Sequence, residues 1–113
     1  MDCLFCRIAA GEIPSTKVYE DETVYAFRDI NPQAPVHVVI IPKKHIASSA
    51  DEITAENSGT IAKLFEAIPK VAEAAGLING YRIVNNCGPD ACQSVQHIHF
   101  HLLGGKQLAD SMA

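Results

Sequence analysis

The 113-residue chain predicts an α+β domain: a five-stranded, mostly antiparallel sheet carrying one long and one short helix. Three observations predict it. Five short runs of β-branched and aromatic residues are separated by turn signals. One long apolar stripe at helical spacing lies between Ala55 and Ala75. The regular strand–helix alternation of a parallel sheet is missing.

The elements follow in order. Leu4, Phe5 and Ile8 recur at helical spacing, and Gly11-Glu12-Ile13-Pro14-Ser15 ends that short helix. Lys17 to Glu20 and Thr23 to Arg28 read as a hairpin around Asp21-Glu22. Asn31-Pro32-Gln33-Ala34-Pro35 is a stiff loop, because each proline fixes its own φ and biases the preceding residue towards extended backbone. A third strand, Val36 to Ile41, leaves it. Ile61, Leu64, Phe65, Ile68, Val71, Ala72 and Ala75 then form the stripe of the main helix, which stops at Gly76. Pro69 within it predicts a kink or local break, since it cannot donate to the Phe65 carbonyl. Tyr81 to Asn86 and Val95 to Leu103 complete the sheet.

Composition narrows the functional classes. At 48 % hydrophobic and 19 % charged the chain is of ordinary globular type, and no repeat or linker divides it, so residues 1–113 read as one domain. Nine basic against thirteen acidic residues give a net charge of −4, which supplies no positive field for nucleic acid but leaves room for a small anion held by local donors. The longest near-apolar run, Pro35 to Pro42, is far short of the roughly 20 residues of a membrane helix. Met1-Asp2-Cys3-Leu4-Phe5-Cys6-Arg7 lacks the pattern of a secretory leader, so a reducing cytoplasm is expected. There the four cysteines read as metal ligands, small buried residues or redox groups and not as disulfides.

The chemistry concentrates in Gln93-Ser94-Val95-Gln96-His97-Ile98-His99-Phe100-His101-Leu102-Leu103. Residues two apart share a face of a strand, so His97, His99 and His101 point one way and Ile98, Phe100 and Leu102 point into the core. Imidazole is available near neutral pH as nucleophile, proton carrier or metal ligand. The spacing leaves two readings open: a catalytic metal held by the histidines with a position kept for water, or a histidine nucleophile attacking phosphorus while its neighbours hold phosphate oxygens. The preceding loop, Asn85 to Ser94, is rich in small and amide-bearing residues. Its backbone N–H groups, the Asn86 amide and the Ser94 hydroxyl would cradle a phosphate without any lysine.

The run from Gln93 to Leu102 resembles the motif of the histidine-triad (HIT) superfamily, and further segments resemble its nucleotide-binding, Hint-like branch of the bacterial zinc-containing type. These are Gly11-Glu12-Ile13-Pro14-Ser15, Phe27 to His37, Ile41-Pro42-Lys43-Lys44-His45-Ile46, Gly80-Tyr81-Arg82 and Leu103-Gly104-Gly105, so the likeness covers nearly the whole chain. It implies a site for a purine nucleoside monophosphate and hydrolysis of the bond from a nucleotidyl phosphate to an amine or similar leaving group. By motif position, His99 would be the nucleophile that forms a covalent nucleotidyl-imidazole, His101 would bind a phosphate oxygen and His37 would support the cluster. Ser94 would sit near the leaving group, and Asn86 would add a donor. Asp29 would hold the ribose hydroxyls, and Phe5, Ile8, Phe27 and Ile30 would form the apolar slot for the base, although plain core packing also accounts for these four.

Cys3-Leu4-Phe5-Cys6 alone fits either zinc or two small packing residues. The resemblance implies a closed Cys₂His₂ zinc site completed by His45 and His97, structural in role. It also implies a homodimer in which the main helix and strand four meet their copies and extend the sheet. The chain departs from the family pattern at Cys92, where a glycine is usual, at Gln96, where an aromatic is frequent, and in a tail without tryptophan. Cys87 and Cys92 read as packing residues of the loop. The alternative to an enzyme is a nucleotide-binding regulatory partner whose turnover is incidental.

Overall fold

The computed structural model describes residues 3–112; Met1, Asp2 and Ala113, and with the first two part of the segment read for a secretory leader, lie outside them. Helix α1 spans Leu4–Ala9, strand β1 Lys17–Glu20, β2 Val24–Arg28, β3 Val36–Pro42, helix α2 Ser58–Ala74, β4 Arg82–Val84 and β5 Phe100–Gly104. All four strand pairings are antiparallel, in the order β1-β2-β3-β5-β4. The α+β class and the five strands are as expected. Two short 3₁₀ turns, Ala50–Glu52 and Pro89–Ala91, were not anticipated.

The two faces of the sheet carry different chemistry, and the alternation of strand side chains sorts them. Val24 and Ala26 of β2, Val38 and Ile40 of β3, and Phe100 and Leu102 of β5 join Ile98 in a cluster closed by Leu64, Ala67, Ile68, Val71 and Ala72 of α2. Tyr25, Phe27, Val39 and Ile41 face the other way, against Cys3, Phe5 and Ile8 of the α1 segment. His37 of β3 shares the parity of Val39 and Ile41, so the histidines open on the α1 side. One face is thus the main core. The other is the site.

Helix α2 is continuous from Ser58 to Ala74 with Pro69 inside it, so of the expected kink or local break the break is not found. Pro69 and Phe65 both lie on its exposed side, so the Phe65 carbonyl that loses its partner can take water instead. Phe65 was expected within the buried stripe but is 45 % exposed; it meets Phe100 edge-on at 5.4 Å while its far side stays open. Leu4 is likewise exposed, and β4 is shorter than expected at both ends.

Strand β5 begins at Phe100, not at Val95, and the reason lies in where the backbone bonds go. Beyond the Ile40↔Phe100 pair the ladder to β3 stops. The preceding backbone groups find other partners: Ile98 N–H donates to the Ala47 carbonyl at 2.9 Å, and the His99 carbonyl accepts from Asn85 Nδ2 at 2.9 Å. Buried polar groups stay satisfied while this segment leaves the sheet for α1. His97, His99 and His101 nevertheless keep a common side, and Ile98, Phe100 and Leu102 keep the other.

Cys92 has φ +60 in the left-handed region, the one non-glycine among the described residues with positive φ. This explains why glycine suits the position: a Cβ there costs about 1–2 kcal/mol. Part of the relief from Cys92→Gly is spent on the more flexible unfolded chain. The variant should therefore be about 0.5–1 kcal/mol more stable, raising the melting temperature by roughly 2–5 °C in a thermal scan. A melting temperature unchanged or lowered would contradict the strain.

Candidate functional site

Two groups of side chains gather on the α1 face, both with spacings that suit a cation: Cys3, Cys6, His45 and His97, and Asp29, His37 and His101. In the first, His97 is fully buried and places Nε2 2.8 Å from the Pro42 carbonyl. A carbonyl only accepts, so the proton sits on Nε2 and the Nδ1 lone pair faces the two sulfurs. Nδ1 lies 3.2 Å from Cys3 Sγ and 3.5 Å from Cys6 Sγ, and Cys6 Sγ lies 3.8 Å from His45 Nδ1. A tetrahedral zinc with Zn–S of about 2.3 Å and Zn–N of about 2.0–2.1 Å sets an S···N edge of roughly 3.6 Å, in the middle of that range. Burial, and then the neighbouring Cys3, push the Cys6 thiol up to about 11, so in the metal-free protein it is protonated and would release its proton on ligating a divalent cation. The donor set and geometry fit zinc.

The second group fails the same test. The backbone N–H of Gln33 donates to His37 Nδ1 at 3.0 Å, so that nitrogen carries a lone pair and the proton is on Nε2. Nε2 is the atom that would have to ligate. It lies 2.9 Å from His101 Nδ1 and 3.4 Å from Asp29 Oδ2, which makes the trio a hydrogen-bonded chain and not a cation site.

The histidine triplet is therefore divided. His97 belongs to the cysteines, and His101 to His37. His99, buried between them, places Nδ1 2.8 Å from the His97 carbonyl. That bond puts its proton on Nδ1 and leaves Nε2 with a free lone pair. Its ring meets Phe5 edge-on at 5.0 Å and His101 at 5.2 Å. Burial lowers the pKa of His99 against its bond to the His97 carbonyl, so the ring is neutral at neutral pH.

The other candidate residues are placed as follows. Phe5, Ile8 and Phe27 lie together in one cluster, with the Phe5 and Phe27 rings edge-on at 5.6 Å. Ile30 is not with them; it stands fully exposed just after Asp29. Ser94 is exposed and lines a cavity of about 520 Å³ together with Leu4, His45, Ser48 and Gln96. Asn86 is half-buried. The neighbouring Asn85 is the amide that ties the loop to β5, through the His99 carbonyl. Gln93 organises the loop from within: its Oε1 accepts from Gly88 N–H at 3.0 Å, and its Nε2 donates to the carbonyls of Ser48 at 2.6 Å and Val95 at 3.0 Å. Asn85, Gln93 and Gln33 were not singled out by the sequence. Amides in loops have many uses, and only the path of the chain shows which one is aimed at a histidine.

Burial holds His101 down to about 4, with His99 and His37 adding to the effect and Asp29 opposing it, and burial lowers His37 likewise. Unfolded imidazoles titrate near 6.5. Between about 4 and about 6.5 the unfolded chain binds more protons than the folded one, so stability is full above about 6.5 and is lost as pH falls towards about 4. Urea midpoints should decline across this window, and less steeply in His101→Gln. An unchanged slope in that variant would remove His101 from the effect.

An antiparallel sheet presenting alternate histidines beside an amide-rich loop defines the histidine-triad class of protein. A family model described as the HIT domain matches residues 10–108, and the chain belongs to that family. Among its relatives, a 14 kDa zinc-binding protein of Zea mays is 51 % identical over 106 residues, covering 93 % of this chain and 83 % of that protein. A purine nucleoside phosphoramidase of Escherichia coli (strain K12) is 41 % identical over 113 residues, covering 99 % and 94 %. The crystal structure of a HIT family hydrolase from Legionella pneumophila Philadelphia 1 superposes with a TM-score of 0.89 at 50 % identity, covering 96 % of this chain and 97 % of that one. Among the described residues no helix is long and apolar enough to cross a membrane.

Proposed function

We propose that the protein is a hydrolase that releases a purine nucleoside monophosphate, AMP or GMP, from an amine or similar leaving group through a covalent intermediate on His99. The observation that carries this reading is the bond from His99 Nδ1–H to the His97 carbonyl, which leaves Nε2 as a neutral nucleophile on the site face. In the first step the Nε2 lone pair forms a bond to phosphorus and the bond from phosphorus to the leaving nitrogen breaks; that nitrogen departs as the amine after taking up a proton. The imidazolium that results keeps Nδ1–H on the His97 carbonyl. In the second step water attacks phosphorus, the bond to Nε2 breaks, and the free nucleotide leaves with His99 restored.

His101 and His37 then serve the phosphate, Ser94 and Asn86 lie at its leaving-group side, and Asp29 accepts from the ribose hydroxyls. Phe5, Ile8 and Phe27 supply apolar surface for the base, with the exposed Ile30 as a further contact. Zinc held by Cys3, Cys6, His45 and His97 would fasten α1 to the sheet and supply folding free energy, leaving the reaction to His99 and His101. The relatives named as a zinc-binding protein and a purine nucleoside phosphoramidase support both parts. The half-exposed Phe65 on α2 and Ile83 on the edge strand β4 favour a homodimer formed through those two elements; the cytoplasm is the compartment we propose for it. Its sedimentation mass at micromolar concentration should be twice that of the chain; the mass of one chain would count against it.

Incubation of adenosine phosphoramidate with the protein should yield AMP and ammonia in equal amounts, catalytically. Tight AMP binding without turnover would instead favour a nucleotide-binding regulatory partner.

A further inference from the structure

We propose that the main-chain amide of Gln33 is a positioning group for this reaction: by donating to His37 it sets the tautomer of His101, and so makes the free ring nitrogen of His101 a hydrogen-bond donor. The inference rests on the proposed function for its phosphate partner, and on three bonds for its direction. An amide N–H can only donate, so at 3.0 Å it requires a lone pair on His37 Nδ1 and excludes a protonated one. His37 therefore carries its proton on Nε2, which lies 2.9 Å from His101 Nδ1. His101 Nδ1 accepts, so a neutral His101 must carry its own proton on Nε2. Burial keeps both rings neutral near pH 7. Asp29 Oδ2, 3.4 Å from His37 Nε2, favours the same arrangement because it too only accepts.

The alternative shows what the amide accomplishes. With the His37 proton on Nδ1, Nε2 would become an acceptor and draw the His101 proton onto Nδ1. The remaining nitrogen of His101 would then turn a lone pair towards an anionic phosphate oxygen, and attraction would become repulsion. The loop that aims the amide is built not to move. Pro32 and Pro35 fix φ on either side, Gln33 Nε2 donates to the Asn31 carbonyl at 3.1 Å, and Asn31 N–H donates to Asp29 Oδ1 at 2.8 Å. A donor oriented in advance needs no reorganisation as charge develops on phosphate.

The test begins with ¹⁵N spectra of the histidine rings in the full-length, zinc-loaded, nucleotide-free protein at neutral pH. Protonated Nε2 and unprotonated Nδ1 are expected on both His37 and His101; a proton on Nδ1 of either ring overturns the proposal. Next, a backbone ester at position 33, made with an alanine-like hydroxy acid, is compared with Gln33→Ala. The two share the same side chain, and the ester replaces the donating N–H by an oxygen that cannot donate. The ester should shift the His101 proton from Nε2 towards Nδ1 and lower kcat about 10–100-fold relative to Gln33→Ala, with KM changed less than about threefold. An unaltered His101 tautomer in the ester overturns the role of the amide. Failure of the native protein to turn over adenosine phosphoramidate would instead overturn the proposed function, and the ring spectra separate the two results.

Discussion

His99→Ala should bind AMP with an affinity close to that of the native protein and hydrolyse adenosine phosphoramidate at least about 10³-fold more slowly. Removing the ring deletes the only imidazole of the triplet whose Nε2 is left with a free lone pair. His97 spends Nε2 on Pro42 and faces the cysteines with Nδ1. His101 receives His37 at Nδ1 and has its proton on the other nitrogen. Neither can replace His99 without breaking a buried hydrogen bond. The loss should fall on kcat, because Phe5 and Phe27, the apolar surface proposed for the base, keep their mutual contact at 5.6 Å. AMP affinity is measured by calorimetry and turnover by release of AMP. Retention of more than about a tenth of native kcat would remove His99 from its place in the reaction.

Removal of zinc, by chelation or through Cys6→Ser, should lower the melting temperature by about 10 °C or more while leaving the β-sheet signal of circular dichroism largely intact at 25 °C. Helix α1 has six residues and cannot persist by itself, since nucleation is unfavourable and so short a helix never recovers the cost. It is held by Phe5 and Ile8 on the sheet and by Cys3 and Cys6 at its start. Loss of the zinc proposed there would leave two sulfurs and two imidazoles without the ion that joins them, and without the folding free energy that structural zinc sites supply. None of these four residues belongs to the main core on the α2 face. Because the metal set and the His37–His101 pair are separate, zinc-free protein that remains folded should keep kcat within about tenfold of native. Loss of all turnover in folded, zinc-free protein would make the metal catalytic and contradict the division of the triplet.

Much of this was legible in the sequence because it depends on period. Alternation within Val36 to Ile41 and from Ile98 to Leu102 placed the core on one face and the histidines on the other, and the α2 stripe ended at Gly76 as its spacing required. The departures come from tertiary partners that period does not encode. Val95 to His99 has the composition of a strand but leaves the ladder, because His97 must reach the cysteines and the Pro42 carbonyl. Phe65 obeys the helical stripe and yet stays half-exposed, touching the core through one edge contact with Phe100. Ile30 follows Asp29 in sequence but turns outward from the cluster of Phe5, Ile8 and Phe27. Cys92 was marked by the family pattern as a residue standing where glycine is usual, and its left-handed φ supplies the physical cause. The amides of Gln33, Asn85 and Gln93 carried no signal of their own, because a backbone or side-chain amide acquires a role only from what the fold sets opposite it.

The most direct test is mass spectrometry of acid-sparing quenched turnover, with the protein digested and the histidine peptide sequenced. Adenosine phosphoramidate should leave a mass increment of one adenylyl group on His99, present during turnover and gone once substrate is exhausted. An adenylyl group on His97, His101 or Ser94, or none at any time during rapid turnover, would contradict the account.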